Sequence, residues 1–486
     1  MSDVVSPPRR NKTQLVLVLA LVVLLVAAGV GAFLVLQGDD DRNDSYPKEW
    51  DERIKPYVEI VEDKRGLSFD HPVKVRFLDA KAFEKTVRAD KKDLDKDDRQ
   101  EIKETTSLFR AFGLISGDVD LFDAFDDARG SGTLAYYSFD DRTITVRGTK
   151  LSLATRGTLV HELTHALQDQ KFDIATSTKK LAKKASDGKA TTEGDALRAI
   201  VEGDAERVAT LYRASLDKKE RAALDKAESA DTKGSQEELK GVPKVVTTLI
   251  GAPYALGQAL TETIAADDDD RVDELLENPP PDDSILLDPL RALDDIDSTK
   301  VKIPKPGTGE KKFDSGQVGS LVTYLMLAER IPLRDALEAA DTWRGDAYLG
   351  FKRKDVLCAR VAYAASSQKG AARLTSAFED WIAAEAGSSA TVSSEGKRVT
   401  FESCDPGKDA KLGNDASEDA IQLVGTRSYL GVSVIKAGAT PKSARCFSNR
   451  VINEFSIDDL NDPEFGANDP ALVKRVQGLA ADCRGQ

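Results

Sequence analysis

A chain of 486 residues with 69 Lys and Arg against 83 Asp and Glu carries a formal net charge of −14. Phosphate backbones are bound through a basic surface, so this balance argues against a nucleic-acid partner. At 41 % hydrophobic residues the chain can bury a substantial core, and its length allows two or three domains.

Residues Leu15 to Leu36 run without a charge. As a helix the run would be about 33 Å long, enough to cross the hydrocarbon core of a bilayer. Arg9, Arg10 and Lys12 precede it and Asp39, Asp40 and Asp41 follow, which orients the N-terminus to the cytoplasm and the bulk of the chain to the outside. The run exceeds the apolar core of a cleaved signal peptide, so a signal anchor is the better reading. Residues 1–13 are then a cytoplasmic tail, 14–37 a transmembrane helix and 38–50 an acidic stalk.

Residues 51–64 read as helix, and Val73, Val75 and Phe77 alternate with Lys74 and Arg76 as in a half-buried strand. His71, a lone histidine before a proline at the strand start, reads as structural rather than as a remote metal ligand. Residues 84–128 are helix-rich and heavily charged. Leu134–Phe139 and Thr143–Val146 flank an Asp140-Asp141 turn and predict a hairpin. It leads into a helix that Ser152 can cap and that runs to Gln170, with Leu159, Val160, Leu163, Ala166 and Leu167 forming one apolar face.

That helix holds the most informative string in the chain. Residues 161–165 are His-Glu-Leu-Thr-His, and they use two of only three histidines. The i, i+4 spacing puts both imidazoles on one face, one turn apart, where they can share a metal ion. Glu162 lies about 100° round the helix from His161, within reach of a metal-bound water without being a ligand itself.

Downstream, a Ser/Thr/Lys-rich loop is expected to about residue 190, with Lys179, Lys180, Lys183 and Lys184 on its solvated face. Helices are expected over Glu193–Ala214, 217–228, 242–266, 316–342 and 368–386, broken by the Asp267–Asp270 run and by Pro279 to Pro281. Ala390–Glu402 reads as strand, and the last 60 residues as a small helical unit. Cys358, Cys404, Cys446 and Cys483 lack metal-binding spacing, and an even number in an oxidising compartment suggests two disulfides. Of the three pairings, Cys358–Cys404 and Cys446–Cys483 each bracket a compact stretch expected to be helical. The fold class expected is α+β and mostly helical, with a small sheet or hairpin before the metal helix. One domain would span 51–395, and a disulfide-linked C-terminal region 396–486.

A catalytic zinc usually takes three protein ligands and leaves the fourth position to water. The third ligand is best sought among carboxylates on the next long helix. Glu202, in Val-Glu-Gly-Asp-Ala, is the first choice; Glu206, one turn on, is either the ligand or a support for a histidine ring, and Glu193 is a further candidate. Tyr254 and Tyr212 are candidate donors to a developing oxyanion.

The string Thr-Leu-Val-His-Glu-Leu-Thr-His-Ala-Leu-Gln-Asp-Gln at 158–170, followed by Val-Glu-Gly-Asp-Ala at 201–205, resembles the gluzincin-type zinc metallopeptidases. It is most similar to a bacterial group of membrane-anchored or secreted zincin-like proteins. Ala-Pro-Tyr-Ala-Leu-Gly at 252–257, the Pro-Pro-Pro stretch ending in Asp-Pro at 288–289, and Ala-Ala-Asp-Thr-Trp-Arg-Gly-Asp at 339–346 extend the resemblance over about 110–390. It departs at Asp288, where a histidine would be expected before the proline. The resemblance implies a zincin-like domain with one zinc ion on His161, His165 and Glu202, and Glu162 as general base. The expected function is a membrane-anchored, extracytoplasmic peptidase acting on proteins or peptides. A non-catalytic envelope scaffold and a hydrolase of non-peptide amides are the alternatives.

Overall fold

The computed structural model describes residues 46–89, 91–185, 191–294, 298–385, 388–410, 415–456, 459–460 and 469–484. The segments read as tail and transmembrane helix, and the stalk up to residue 45, lie outside them. Among the described residues no helix is long and apolar enough to cross a membrane.

The described residues are α+β and mostly helical, with two sheets. Helix α1 (Lys55–Arg65) stops at Gly66, whose φ of 74° provides a left-handed cap. Strand β1 (Lys74–Leu78) follows, then α2 (Ala80–Val87), α3 (Lys96–Ala111) and α4 (Leu121–Gly130). Each of these three helices begins on an aspartate, Asp79, Asp95 or Asp120, whose carboxylate accepts backbone N–H groups of the first turn. The expected hairpin is present as β2 (Ala135–Ser138) and β3 (Thr143–Arg147). With β1 it makes a three-stranded sheet of order β1-β3-β2, in which β3 is parallel to β1 and antiparallel to β2.

Helix α5 (Ala154–Phe172) carries the two histidines. The sequence suggests one apolar face, but every residue from Leu159 to Asp169 is buried, so the helix is enclosed on all sides and its polar groups must find partners inside the protein. Ser152 still caps it, since Ser152 Oγ accepts from the Thr155 N–H at 3.2 Å. The lysine-rich stretch expected as loop is helix α6 (Ile174–Lys184), which buries Ile174, Ala175 and Leu181. Helices α7 (Glu193–Ser215), α8 (Lys218–Glu238), α9 (Lys244–Asp267), α10 (Asp270–Glu277) and the single turn α11 (Ser284–Leu287) follow. Helices α7 and α9 touch backbone to backbone: a Cβ on Gly203 would lie 2.0 Å from the Gly257 carbonyl oxygen.

The second sheet is the main departure from the sequence reading. Strands β4 (Glu310–Gly316), β5 (Trp343–Arg353), β6 (Val356–Ala365), β7 (Thr391–Glu395) and β8 (Arg398–Cys404) form an antiparallel sheet of order β4-β5-β6-β8-β7. The helix expected over 316–342 is two helices, α12 (Ser320–Ala328) and α13 (Leu333–Ala340), because Pro332 cannot continue the first. Helix α14 (Gln368–Ala383) packs Phe378 and Trp381 onto Phe401 of β8. Both expected disulfides are present. Cys358 and Cys404 stand directly opposite each other on β6 and β8, so this bond is a cross-strand link rather than the clasp of a helical stretch. Helices α15 (Ser417–Lys436), α16 (Pro441–Glu454) and α17 (Pro470–Cys483) complete the chain, and Cys446–Cys483 joins α16 to α17. Helix α15 belongs to the main core through Ala420, Leu423 and Val424, whereas Phe447, Val451, Phe455 and Cys483 form a small cluster of their own.

Two of the motifs singled out in the sequence meet at the start of α12. The N–H groups of Val318 and Gly319 donate to Asp346 at 2.6 and 2.9 Å, and those of Ser320 and Leu321 donate to Asp283 at 2.9 and 3.0 Å. Two buried carboxylates therefore serve four successive backbone donors, three of them orphan N–H groups of the helix start. Asp288 is structural as well: it caps Leu290 N at 3.2 Å and pairs with Arg445 Nε at 2.6 Å.

Burial pushes Asp346 up to about 7, Glu101 of α3 to about 7 and Asp283 to about 6, despite the N–H donors on the two aspartates. The unfolded chain releases these protons near pH 4, whereas the folded chain holds them up to pH 6–7. The stability these three groups contribute therefore falls as pH rises through that window and is level above it. The urea midpoint of the metal-free protein is expected to be higher at pH 5.5 than at pH 8; the reverse order would contradict the assignment.

Candidate metal centre

Two loci 41 residues apart build the centre. Helix α5 supplies His161 and His165, one turn apart, and α7 crosses it to supply Glu202. The Gly203–Gly257 contact decides how deep α7 can sit, because only two backbones without side chains allow so close an approach.

The three side chains converge. His161 Nε2 and His165 Nε2 are 2.9 Å apart, and each is 3.2 Å from Glu202 Oε2. All three residues are buried, and among the described residues they form a group able to hold a metal ion. A tetrahedral zinc with bonds of about 2.0–2.1 Å holds its ligand atoms about 3.4 Å apart, so the observed triangle fits one ion with slight expansion. The donor set, two imidazoles and one carboxylate, is also the chemistry zinc accepts.

One of the two histidines is held from behind. His165 Nδ1 meets Gln168 Oε1 at 3.0 Å. The Gln168 amide donates to Val201 O at 3.0 Å and to Asp204 Oδ2 at 2.9 Å. Asp204, fully buried, is itself held by Arg65 Nε at 2.7 Å, and Arg65 also pairs with Asp273. On the other ring, Glu206 Oε1 lies 3.2 Å from His161 Nδ1, at an angle that makes no hydrogen bond. Such partners fix ring orientation and raise the basicity of a ligand.

Glu162 is buried beside the triangle, and its Oε2 accepts the Tyr137 N–H of β2 at 2.6 Å. Tyr137 is held in turn through its hydroxyl, which donates to Asp169 of α5 at 3.0 Å. Strand β2 is an edge of its sheet, but its Tyr137 N–H is committed to Glu162 and is not open to an added strand. Tyr254, half-buried on α9, stacks on His161 with ring centroids 5.9 Å apart.

Electrostatics follow from burial and these neighbours. Burial raises Glu202, but the charge and hydrogen bonds of His165 and His161 outweigh it and hold the carboxyl well below its ordinary range. Burial alone would lower His161, yet Glu202 and Glu206 keep it well above its usual value. Glu162 goes up through burial, although both histidines and the Tyr137 N–H oppose the shift. Burial and the Glu202 carboxylate push Tyr254 well above the usual phenol value, so its hydroxyl keeps a proton to donate.

The remaining candidates sit elsewhere. His71 stacks on Tyr46 and contacts Pro72 O at 3.1 Å. Glu193 pairs with Lys184 at 2.9 Å, and Tyr212 packs edge-on against Tyr57 in the core. Gln168, Asp204, Arg65 and Tyr137 escape sequence reasoning. Their one visible signal is that Gln168 and Asp204 fall inside the two strings that carry the resemblance.

No protein-family model, curated protein or solved structure matches the chain.

Proposed function

We propose that this protein is a zinc-dependent peptidase of the gluzincin type, anchored in the membrane by residues 14–37 with its catalytic part outside the cytoplasm. The observation that carries the reading is the convergence of His161, His165 and Glu202 on one point, with the Glu162 carboxylate pinned beside it. Zinc at that point would supply a water acidified toward neutrality and a Lewis acid for the scissile carbonyl. One oxygen of Glu162 is committed to Tyr137, which leaves the other to take the proton of the attacking water and pass it to the leaving amine. The Tyr254 hydroxyl, on the His161 side, is placed to donate to the carbonyl oxygen as charge develops. The enclosed helix α5 forms a dry wall behind the ligands, which strengthens each of these interactions. The anchor and its orientation rest on the uncharged run Leu15–Leu36 and the charges that flank it.

The test is metal analysis of the purified full-length protein together with digestion of a peptide library. One zinc per chain is expected, with cleavage that a chelator stops and added zinc restores. Cleavage insensitive to the chelator, or none by zinc-loaded protein, would overturn the reading.

A further inference from the structure

Two sequence motifs that the metal centre does not use, Asp-Pro at 288–289 and the string at 339–346, meet on the wall of a cavity of about 330 Å³. Helix α11, the turn Pro289–Leu293, the start of α12, the end of α13, the start of β5 and helix α16 border it. None of its lining residues belongs to the metal centre or to the contacts behind it. Its size suits a small molecule.

The polar groups on the wall divide into two sets. The acids are all taken. Asp288 and Asp294 pair with Arg445 at 2.6 and 3.1 Å, and Asp341 receives both prongs of Arg427 at 2.5 and 3.0 Å. The donors are not. Among the described residues the half-buried Arg291 side chain makes no ion pair and no hydrogen bond. Asn449 accepts from Arg427 at 3.3 Å through Oδ1, and its Nδ2 has no partner among the described residues. Ser284 and Ser320 are 2 % and 1 % exposed, and the hydroxyl of each is buried without a hydrogen-bond partner. Ser320 Oγ lies near Asp283, but that carboxylate already accepts from the Ser320 and Leu321 N–H groups and from the Thr192 hydroxyl. A buried hydroxyl left unpaired costs free energy, which a bound acceptor recovers. No hydrogen bond holds the Ser284 hydroxyl in its present rotamer, so it can turn toward a guest in the cavity.

A guanidinium fork, an amide and two hydroxyls that lack acceptors, beside carboxylates with none to spare, call for a ligand that brings acceptors and negative charge. A neutral polyol would meet the hydroxyls but leave the Arg291 charge unanswered. We propose that this cavity binds a small oxyanion, a phosphate or a carboxylate group, with Arg291 as its counter-charge and Ser284, Ser320 and Asn449 as its donors. The site is independent of the peptidase reading, since it shares no residue with the metal centre.

The experiment is calorimetric titration of the full-length protein in chloride buffer at fixed ionic strength, with sodium phosphate, sodium acetate and glycerol as the three probes. Each is run on zinc-loaded protein and on protein freed of metal by dialysis, which separates an anion in the cavity from one on zinc. Saturable one-to-one binding of phosphate or acetate is expected with and without zinc, and none of glycerol; the tighter anion identifies the oxyanion class. Arg291→Gln and Ser284→Ala should each weaken that binding by about 10-fold or more, because each removes a bond to a charged group. In buffer free of both anions, Ser284→Ala should melt at or above the wild-type temperature, since the hydroxyl it removes has no partner there. Four results would each overturn the site: no saturable binding of either anion, which leaves a cavity that holds only water; binding that needs zinc; an affinity unchanged in either variant; or a lower melting temperature of Ser284→Ala without anion.

Discussion

Glu162→Gln in the full-length protein is expected to keep its zinc and to lose peptide hydrolysis by about 10³–10⁴-fold, near the upper end for removal of a general base. The amide is nearly isosteric, and its carbonyl oxygen can still accept the Tyr137 N–H, so the side chain should stay in place. His161, His165 and Glu202 are untouched, so metal content should match wild type. What disappears is a lone pair basic enough to take a proton. The measurement is kcat/KM on a fluorogenic peptide beside zinc analysis of the same sample. Turnover near wild type would sink the assignment of Glu162, and a simultaneous loss of zinc would show that it supports the ligands instead.

The second large effect separates the two candidate carboxylates on α7. Glu202→Ala removes an oxygen that faces both histidines at 3.2 Å, and zinc affinity is expected to fall by far more than the about 10–100-fold typical of losing a supporting partner. Glu206→Ala removes a group that touches only the back of the His161 ring, so its effect should stay within that smaller range. Competition with a chelator of known zinc affinity measures both variants. If Glu206→Ala strips the metal and Glu202→Ala retains it, the ligand has been placed on the wrong carboxylate.

The elements the sequence discloses are those where one physical signal is strong. Two histidines at i, i+4 declare a shared helix face, and the alternation through Leu134–Phe139 and Thr143–Val146 declares a hairpin. The second sheet is hidden because β5 and β6 are buried on both faces, so the alternation that marks a strand is lost, and their alanines favour helix. Helix α6 is hidden by its lysines, although Ile174 and Leu181 lie two turns apart on one side. The supports of the metal centre are hidden for a different reason. A glutamine or aspartate on a helix ordinarily faces water, and only the crossing of α5 and α7 brings Gln168 and Asp204 together.

The chain of contacts behind His165 also sets a limit on dissecting the protein. It runs through Gln168 and Asp204 to Arg65 on the first described helix, and from there to Asp273 on α10. A fragment cut to begin after residue 66 would retain all three ligands and Glu162, yet the buried Asp204 carboxylate would lose Arg65 and keep only Arg207 at 3.2 Å and Gln168 at 2.9 Å. Removing one partner of a buried ion pair is destabilising, here less than the full cost of an unpaired charge because Arg207 remains. The metal centre is therefore best carried from the first described helix onward rather than as the short segment that its signature strings mark out.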